Sequence, residues 1–260
     1  MNWESYLYPE NEKPLDRLVE GYSNTSIFRK VAFVGDSMSS GEFETCDENG
    51  QHGWYDMYEY SWGQHIARQN GLTGYNFSAG GMTAKAFIER EGNKHGWWDK
   101  EKAAQAYIIA MGANDLVSAK MEIGSVEDID PSDCTKNKPT FLGYYAAMVA
   151  RYKELSPDAK FFFVTLPKIH LDWHNEIAEA HAAALYSLAE YYNNCYMVDL
   201  YKYAPVFDER FYSHFHMHGH MNPMGYLLVG KMIDSYIDYI IRHNPKDFEK
   251  IGFINTGIKC

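Results

Sequence analysis

Five short runs of nearly continuous apolar residues recur along the chain. They are KVAFVGD (30–36), GYNFSAG (74–80), AYIIAMG (106–112), KFFFVTLP (160–167) and CYMVDL (195–200). The strands of a parallel sheet are buried on both faces, so they show uninterrupted apolar character rather than alternation of apolar and polar residues. The five runs therefore predict a central sheet of five parallel strands.

Apolar residues at helical spacing occupy segments between and after these runs. One helix is predicted up to Pro157, on the stripe formed by Phe141, Tyr145, Met148, Tyr152 and Leu155. A second is predicted over 177–192, on the stripe formed by Ile177, His181, Leu185, Leu188 and Tyr192. A last helix is predicted from about 226 to 243, ahead of Pro245, on the stripe formed by Val229, Ile233, Tyr236 and Ile240. Strands that alternate with helices predict an α/β fold in which helices cover both faces of the sheet. We expect a three-layer α/β/α sandwich of flavodoxin-like type.

The chain of 260 residues shows no internal repeat and no linker-like tract that would divide it. One domain over residues 1–260 is therefore expected, with residues 1–29 as an N-terminal extension packed on the core. A hydrophobic content of 46% and a charged content of 23% are typical of a globular protein.

The charge and the termini limit the possible partners. Asp and Glu number 35 against 24 Lys and Arg, a net charge of −11, which disfavours binding to nucleic acid. The N-terminus lacks the pattern of a secretory signal and no stretch has the apolar length of a membrane span, so we expect a cytoplasmic protein without a membrane partner. The scattered cysteines predict reduced thiols; they are Cys46, Cys134, Cys195 and Cys260.

Polar residues and glycines follow three of the predicted strands directly. Ser37 follows the first strand in GDS, Gly81 follows the second in NFSAGGMT, and Asn114 follows the third in GAND. Far along the chain, HFHMHGHMNPMGY places His220 just ahead of the last helix. Because ligands bind at the carboxyl ends of parallel strands, we expect the topology to bring these four blocks together.

The four blocks, in this order, resemble those of the SGNH (GDSL-type) hydrolases, a family of α/β esterases and lipases. The resemblance spans residues 31 to about 230. It implies that Ser37 is the nucleophile and that His220 is its general base. It also implies an oxyanion hole formed by the backbone N–H groups of Ser37 and Gly81 and the side-chain amide of Asn114.

Such a set of residues can hydrolyse an ester without a cofactor. A neutral imidazole removes the proton of the serine hydroxyl, and fixed donors stabilise the oxyanion that forms when the hydroxyl attacks the carbonyl. The expected partner is a small-molecule or oligosaccharide ester, with a short acyl group such as an O-acetyl on a carbohydrate as the favoured substrate.

One position departs from the family pattern. The family usually has an aspartate three residues before the histidine, whereas this chain has Met217. The sequence therefore predicts either a serine–histidine dyad or a triad with a displaced acid, for which Asp199 and Asp208 are candidates.

Several neighbouring residues have simpler structural interpretations. Asp36 is expected to fix the turn before Ser37, Asp115 to cap a helix, and Gly80 and Gly112 to permit tight turns. A histidine-rich loop, rather than a metal site, is expected for His214, His216, His218 and His220, because no acidic or cysteine ligand is interleaved. Packing or surface roles are expected for His65, His170 and His181.

Aromatic residues concentrate in GWYDMYEYSWG (53–63) and HGWWDK (95–100), with Trp173 in another segment. They predict either a carbohydrate-binding platform or core packing. Two other functions stay open: a non-catalytic carbohydrate-binding protein on a decayed hydrolase scaffold, favoured by Met217, and a flavodoxin-like nucleotide binder, disfavoured because no phosphate-binding fingerprint is present.

Overall fold

The computed structural model describes residues 2–259, so Met1 and Cys260 lie outside it. Its centre is a parallel sheet in the order β4-β1-β5-β6-β7, which is the flavodoxin-like order for five successive strands. The strands are β1 (Lys30–Gly35), β4 (Thr73–Ser78), β5 (Ala106–Ala110), β6 (Lys160–Val164) and β7 (Cys195–Val198). The five strands that the apolar runs predict are confirmed.

Successive residues of the central strands face opposite helical layers. In β1, Val31 and Phe33 belong to a core shared with the last helix, whereas Ala32 and Val34 belong to a second core on the other face. The helices of the first face are α2 (Trp62–Asn70) and α9 (Pro223–His243), and those of the second are α3 (Ala84–Ala86), α5 (Phe141–Leu155) and α6 (Asp172–Tyr191). The predicted three-layer α/β/α architecture is therefore confirmed.

The observed helix boundaries follow local capping. Thr140 accepts a hydrogen bond from the Gly143 N–H, so α5 begins at Phe141 as predicted. Asn222 caps α9, and Pro223 occupies its first turn, so this helix starts three residues before the predicted position. Shorter helices are α1 (Ser37–Ser40), α4 (Gly92–Lys94, joined to α3 by one π turn), α7 (Leu200–Tyr203) and α8 (Glu209–Phe215).

Two antiparallel hairpins lie outside the central sheet. The first joins β2 (Glu42–Cys46) to β3 (His52–Asp56), and the second joins β8 (His216–Met217) to β9 (His220–Met221). The sequence patterns did not predict either hairpin. Strand β2 contacts β9, so the two hairpins pack on each other.

No helix in residues 2–259 has both the length and the apolar character to cross a bilayer. The cytoplasmic location stays a prediction. Cys46, Cys134 and Cys195 are free thiols in the structure, whereas Cys260 is outside the described residues.

The N-terminal segment is attached to α9 by buried polar contacts. The Arg242 guanidinium donates to both carboxylate oxygens of Glu12, at 2.6 and 3.1 Å, and to Asp238 Oδ2 at 2.7 Å. The Glu12 side chain is only 3% exposed. Farther along the segment, the hydroxyl groups of Ser23 and Thr25 donate to the buried carboxylate of Asp234.

Arg242→Leu should lower the free energy of unfolding by roughly 1 to 3 kcal/mol, because Asp238 and Glu12 would lose their shared cation and Glu12 would keep only its contacts with Arg17 and His243. The change is measured by urea denaturation. Adding Glu12→Gln should recover part of this loss, since the less compensated charge is then removed. Equal losses in the single and double variants would show that the ion pair does not attach the segment.

Candidate active site

The register of the sheet brings three of the predicted site residues to one edge. Gly35 at the end of β1 is level with Ser78 on β4 and with Ala110 on β5. Ser37, Gly81 and Asn114 follow these three positions by two, three and four residues. The serine, glycine and asparagine blocks therefore leave adjacent strands in the same direction, as the sequence predicted.

Two backbone donors at this edge are left without intramolecular acceptors. Within the described chain, neither the Ser37 N–H nor the Gly81 N–H donates to a backbone or side-chain oxygen. Gly81 has φ +67°, a conformation that favours glycine, and the space where a Cβ would stand is open. The Asn114 side chain donates to the Met82 carbonyl at 3.1 Å, which ties the asparagine block to the glycine block.

Two buried carboxyl groups fix the backbone around these donors. Asp36 accepts a hydrogen bond from the Met38 N–H, and Asp115 accepts one from the Ala84 N–H. The first contact confirms that Asp36 fixes the turn, whereas Asp115 does not cap the helical turn of its own segment and instead binds the first N–H of α3, whose N-cap is Thr83. Burial raises the pKa of Asp36 to about 7 and that of Asp115 to about 6, with the Asp115 charge adding to the rise at Asp36.

The imidazole of His220 lies between two carboxylates of strand β2. His220 Nε2 is 3.0 Å from Glu42 Oε1, and Nδ1 is 3.4 Å from Glu44 Oε2. Glu42 and Glu44 extend to the same side because residues two apart on a strand share a face. His220 Nε2 therefore pairs with Glu42, and not with the Ser37 hydroxyl, in this structure, although α1 and β9 are in contact.

Glu44 is the more strongly held of the two carboxylates. It accepts hydrogen bonds from the Gly219 N–H at 2.7 Å and from His52 Nδ1 at 2.6 Å, in addition to the contact with His220. Burial opposes its ionisation, but these hydrogen bonds outweigh the burial and hold the pKa of Glu44 below its ordinary value. Glu44 is thus a fixed anion beside Nδ1.

Glu42 has the opposite electrostatic character. Burial raises the pKa of its carboxyl group, and the Asp56 and Glu44 charges add to the rise against the attraction of His220. A Cβ on Gly80 would clash with Glu42 Oε2. Gly80 lies in the tight turn that the Met82 N–H closes on the Ala79 carbonyl, as predicted, and its lack of a side chain also admits Glu42.

The two acids that the sequence suggested as partners of His220 bind other groups. Asp199 accepts hydrogen bonds from Tyr186 and from the Lys202 N–H, and Asp208 caps α8 through the Phe211 N–H. Neither contacts His220. Met217 does pair with His220 across the β8–β9 hairpin, so the position of the usual aspartate is still beside the imidazole.

Glu42 and Glu44 are the residues of this site that the sequence interpretation missed. The segment GEFET could have indicated them, because two glutamates on either side of Phe43 share one face if the segment is a strand. Phe43 packs edge-on against Tyr226, whereas the glutamates face the histidine.

The four clustered histidines have different environments. His214 contacts the Arg210 carbonyl, His218 lies against the ring of His52, and His216 packs on Tyr212 with both ring nitrogens buried and unpaired. No group of metal-ligating side chains occurs in the described part of the chain.

His181 connects two loops beneath the site. Its Nε2 donates to the Met111 carbonyl at 2.9 Å, and Nδ1 accepts from the Leu166 N–H at 3.4 Å. Burial lowers the pKa of His181 to about 4, so the ring is neutral. Gly112 has φ +134°, a conformation that requires glycine, which agrees with its interpretation as a turn glycine, and a Cβ there would clash with the His181 ring. His181 is fully buried, which confirms its packing role.

The aromatic segments contain both residues packed in the core and residues exposed at the surface. Trp62 and Trp97 are buried in the core, whereas Trp54 and Tyr55 on β3 are more than half exposed. Trp54 stacks on His52, which in turn contacts Glu44. An exposed aromatic surface therefore lies next to the His220 environment, while the HGWWDK segment supplies core packing through Trp97.

This flavodoxin-like fold, with serine, glycine, asparagine and histidine blocks in this order, is that of the SGNH hydrolases. The chain belongs to the GDSL-like lipase/acylhydrolase family, whose model matches residues 33–228. The predicted family is thereby confirmed. No curated protein matches the chain.

Solved structures share the fold at low sequence identity. A family two carbohydrate esterase from Clostridium thermocellum, in complex with cellohexaose, is 15% identical with a TM-score of 0.54, over 91% of this chain and 66% of that one. A protein from Lactobacillus plantarum is 16% identical with a TM-score of 0.58, over 82% and 97%. The lipase/acylhydrolase from Enterococcus faecalis is 17% identical with a TM-score of 0.50, over 83% and 96%.

Proposed function

We propose that the protein is a serine esterase that removes a short acyl group from a carbohydrate. The observation that carries this proposal is the arrangement of Ser37, Gly81 and Asn114 on adjacent strand ends, with His220 on a hairpin that contacts α1. Ser37 Oγ attacks the ester carbonyl, and His220 Nε2 takes its proton and returns it to the leaving alcohol. Water then hydrolyses the acyl-enzyme.

The oxyanion is held by three donors. They are the unpaired N–H groups of Ser37 and Gly81 and the second N–H of the Asn114 amide, whose first N–H is bound to Met82. Preorganised donors of this kind each contribute about 100- to 1000-fold in rate.

Glu44 is the displaced acid in this mechanism. As a positioning residue, it accepts from His220 Nδ1 and so fixes the tautomer in which Nε2 is free to act as a base. Glu42 has to release Nε2 before Ser37 can use it, because an Nε2 that carries a proton toward the Glu42 carboxylate has no lone pair to accept the serine proton. Glu42 is therefore an internal competitor of the nucleophile.

The alcohol half of the ester is assigned to the exposed face of the β2–β3 hairpin. On the face that carries Glu44, Trp54 offers a ring on which the apolar face of a sugar can stack, whereas Tyr55, the next residue of the strand, points to the other face. The fold shared with a carbohydrate esterase supports the same class of alcohol.

A non-catalytic carbohydrate-binding protein on the same scaffold is the second candidate. It is favoured by the pairing of His220 Nε2 with Glu42, which leaves Ser37 without an imidazole partner. Labelling of Ser37 by a fluorophosphonate decides between the two candidates, because only an activated serine reacts.

Ser37→Ala should abolish hydrolysis of 4-nitrophenyl acetate and fluorophosphonate labelling, since the attacking oxygen is removed. Rates are measured by release of nitrophenol, with Ser39→Ala as the matched control that should retain activity. Equal rates for wild type and Ser37→Ala would remove Ser37 from the mechanism.

Glu44→Gln should lower kcat on the order of 100-fold with little change in KM, because the imidazole loses its anionic partner but substrate contacts persist. Adding Met217→Asp should restore part of kcat, since residue 217 pairs directly with His220. Met217→Ala in the Glu44→Gln background is the control. Failure of the aspartate to restore more activity than the alanine would contradict the positioning role.

Glu42→Ala should raise kcat about three- to tenfold, because His220 Nε2 would no longer be shared with a carboxyl group. The two carboxylates that flank one imidazole thus have opposite expected effects. Steady-state kinetics of Glu42→Ala and Glu44→Ala measured together test this contrast. A loss of activity in both variants would show that Glu42 supports the base rather than competing for it.

A further inference from the structure

A cavity of about 180 Å³ lies at the carboxyl ends of the central strands, on the side covered by α9. Its wall is mainly apolar and includes Val164 from β6, Leu200 and Phe207 after β7, and Val229 and Ile233 from α9. These side chains come from distant parts of the sequence, so the cavity is a feature of the folded domain and not of one loop.

Sequence neighbours of three residues proposed for catalysis line the cavity, whereas Ser37, Asn114 and His220 themselves do not. Asp36 and Met38, which flank Ser37, are part of its wall, as are Ala113 beside Asn114 and Met221 beside His220. An acyl group bonded to Ser37 would thus have this space next to it. The exposed aromatic hairpin is a different surface, so the two halves of an ester have separate places.

The charge of the wall disfavours an ionic ligand. No lysine or arginine lines the cavity. Burial lowers the pKa of His174 and brings that of His216 to about 4, so both imidazoles on the wall are neutral near pH 7. An anionic group placed there would lose its hydration without gaining a counter-ion, and Asp36, the acidic residue of the wall, is already bound to the Met38 N–H.

The volume of the cavity limits the length of the acyl group that it can hold. A cavity of about 150 Å³ in another protein holds benzene, a molecule of six carbons. The methyl of an acetyl group would fill only a small part of the present cavity. We propose that this cavity is the acyl-binding site and that it selects an uncharged, apolar acyl chain of about four to six carbons. The proposal rests on the proposed esterase function.

The first test is the chain-length profile of the wild-type protein on 4-nitrophenyl acetate, butyrate, hexanoate and decanoate. Each methylene that enters the cavity should raise kcat/KM about fourfold, so the rate should increase from acetate to hexanoate and fall at decanoate. A maximum at acetate, or a continued rise to decanoate, would overturn the proposal.

The second test fills the cavity from α9. Val229→Phe should lower kcat/KM for hexanoate at least tenfold more than it lowers kcat/KM for acetate. Leu228→Phe is the matched control, because Leu228 is the adjacent residue but lines a separate cavity. Val229→Leu is a milder variant with the same expected direction if the phenylalanine variant does not fold. Equal hexanoate rates in the Val229 and Leu228 variants would contradict the assignment.

A third measurement separates this proposal from the esterase function. Binding of hexanamide and of acetamide to the Ser37→Ala protein, followed by NMR titration, does not depend on catalysis. Tighter binding of hexanamide that Val229→Phe abolishes supports the cavity even if no ester is hydrolysed. Equal binding of the two amides, in a protein whose wild type does hydrolyse esters, overturns the acyl-binding site and leaves the esterase function intact.

Discussion

The contact of one imidazole with two carboxylates of a single strand is the interaction on which the candidate site depends. Glu44 is held as an anion by the Gly219 N–H and by His52, whereas burial favours the neutral form of Glu42. His220 therefore has an anionic partner at Nδ1 and, at Nε2, a carboxyl group whose pKa is raised. The β8–β9 hairpin has only two residues in each strand, so its position depends on these contacts with β2.

The two halves of the site have different mechanical support. Ser37, Gly81 and Asn114 follow strands whose hydrogen-bonded neighbours are buried, and the neutral His181 ties the β5 and β6 loops together below them. His220 lies on a small hairpin packed against another hairpin. Local opening has a lower free energy where fewer buried contacts are lost, so the base is the more mobile half.

The sequence predicted the central sheet and the nucleophile edge because those segments obey simple rules. Runs such as KFFFVTLP are apolar throughout since both faces are buried. The β2–β3 hairpin was not predicted because it inverts the usual pattern: Glu42 and Glu44 face inward, while Trp54 and Tyr55 are exposed. The partner of His220 is separated from it by 176 residues, and no local pattern encodes that contact.

The location of Glu44 has a consequence for the evolution of such chains. The carboxylate at Nδ1 comes from a position seven residues after the serine, while the customary aspartate site next to the histidine holds Met217. Residue 217 pairs with His220 across the β8–β9 hairpin and Glu44 reaches the same imidazole from β2, so relatives should carry an acid at one position or the other, and substitutions at the two should covary. A survey that requires the acid in the histidine block would overlook the carboxylate that contacts the imidazole in chains of this kind.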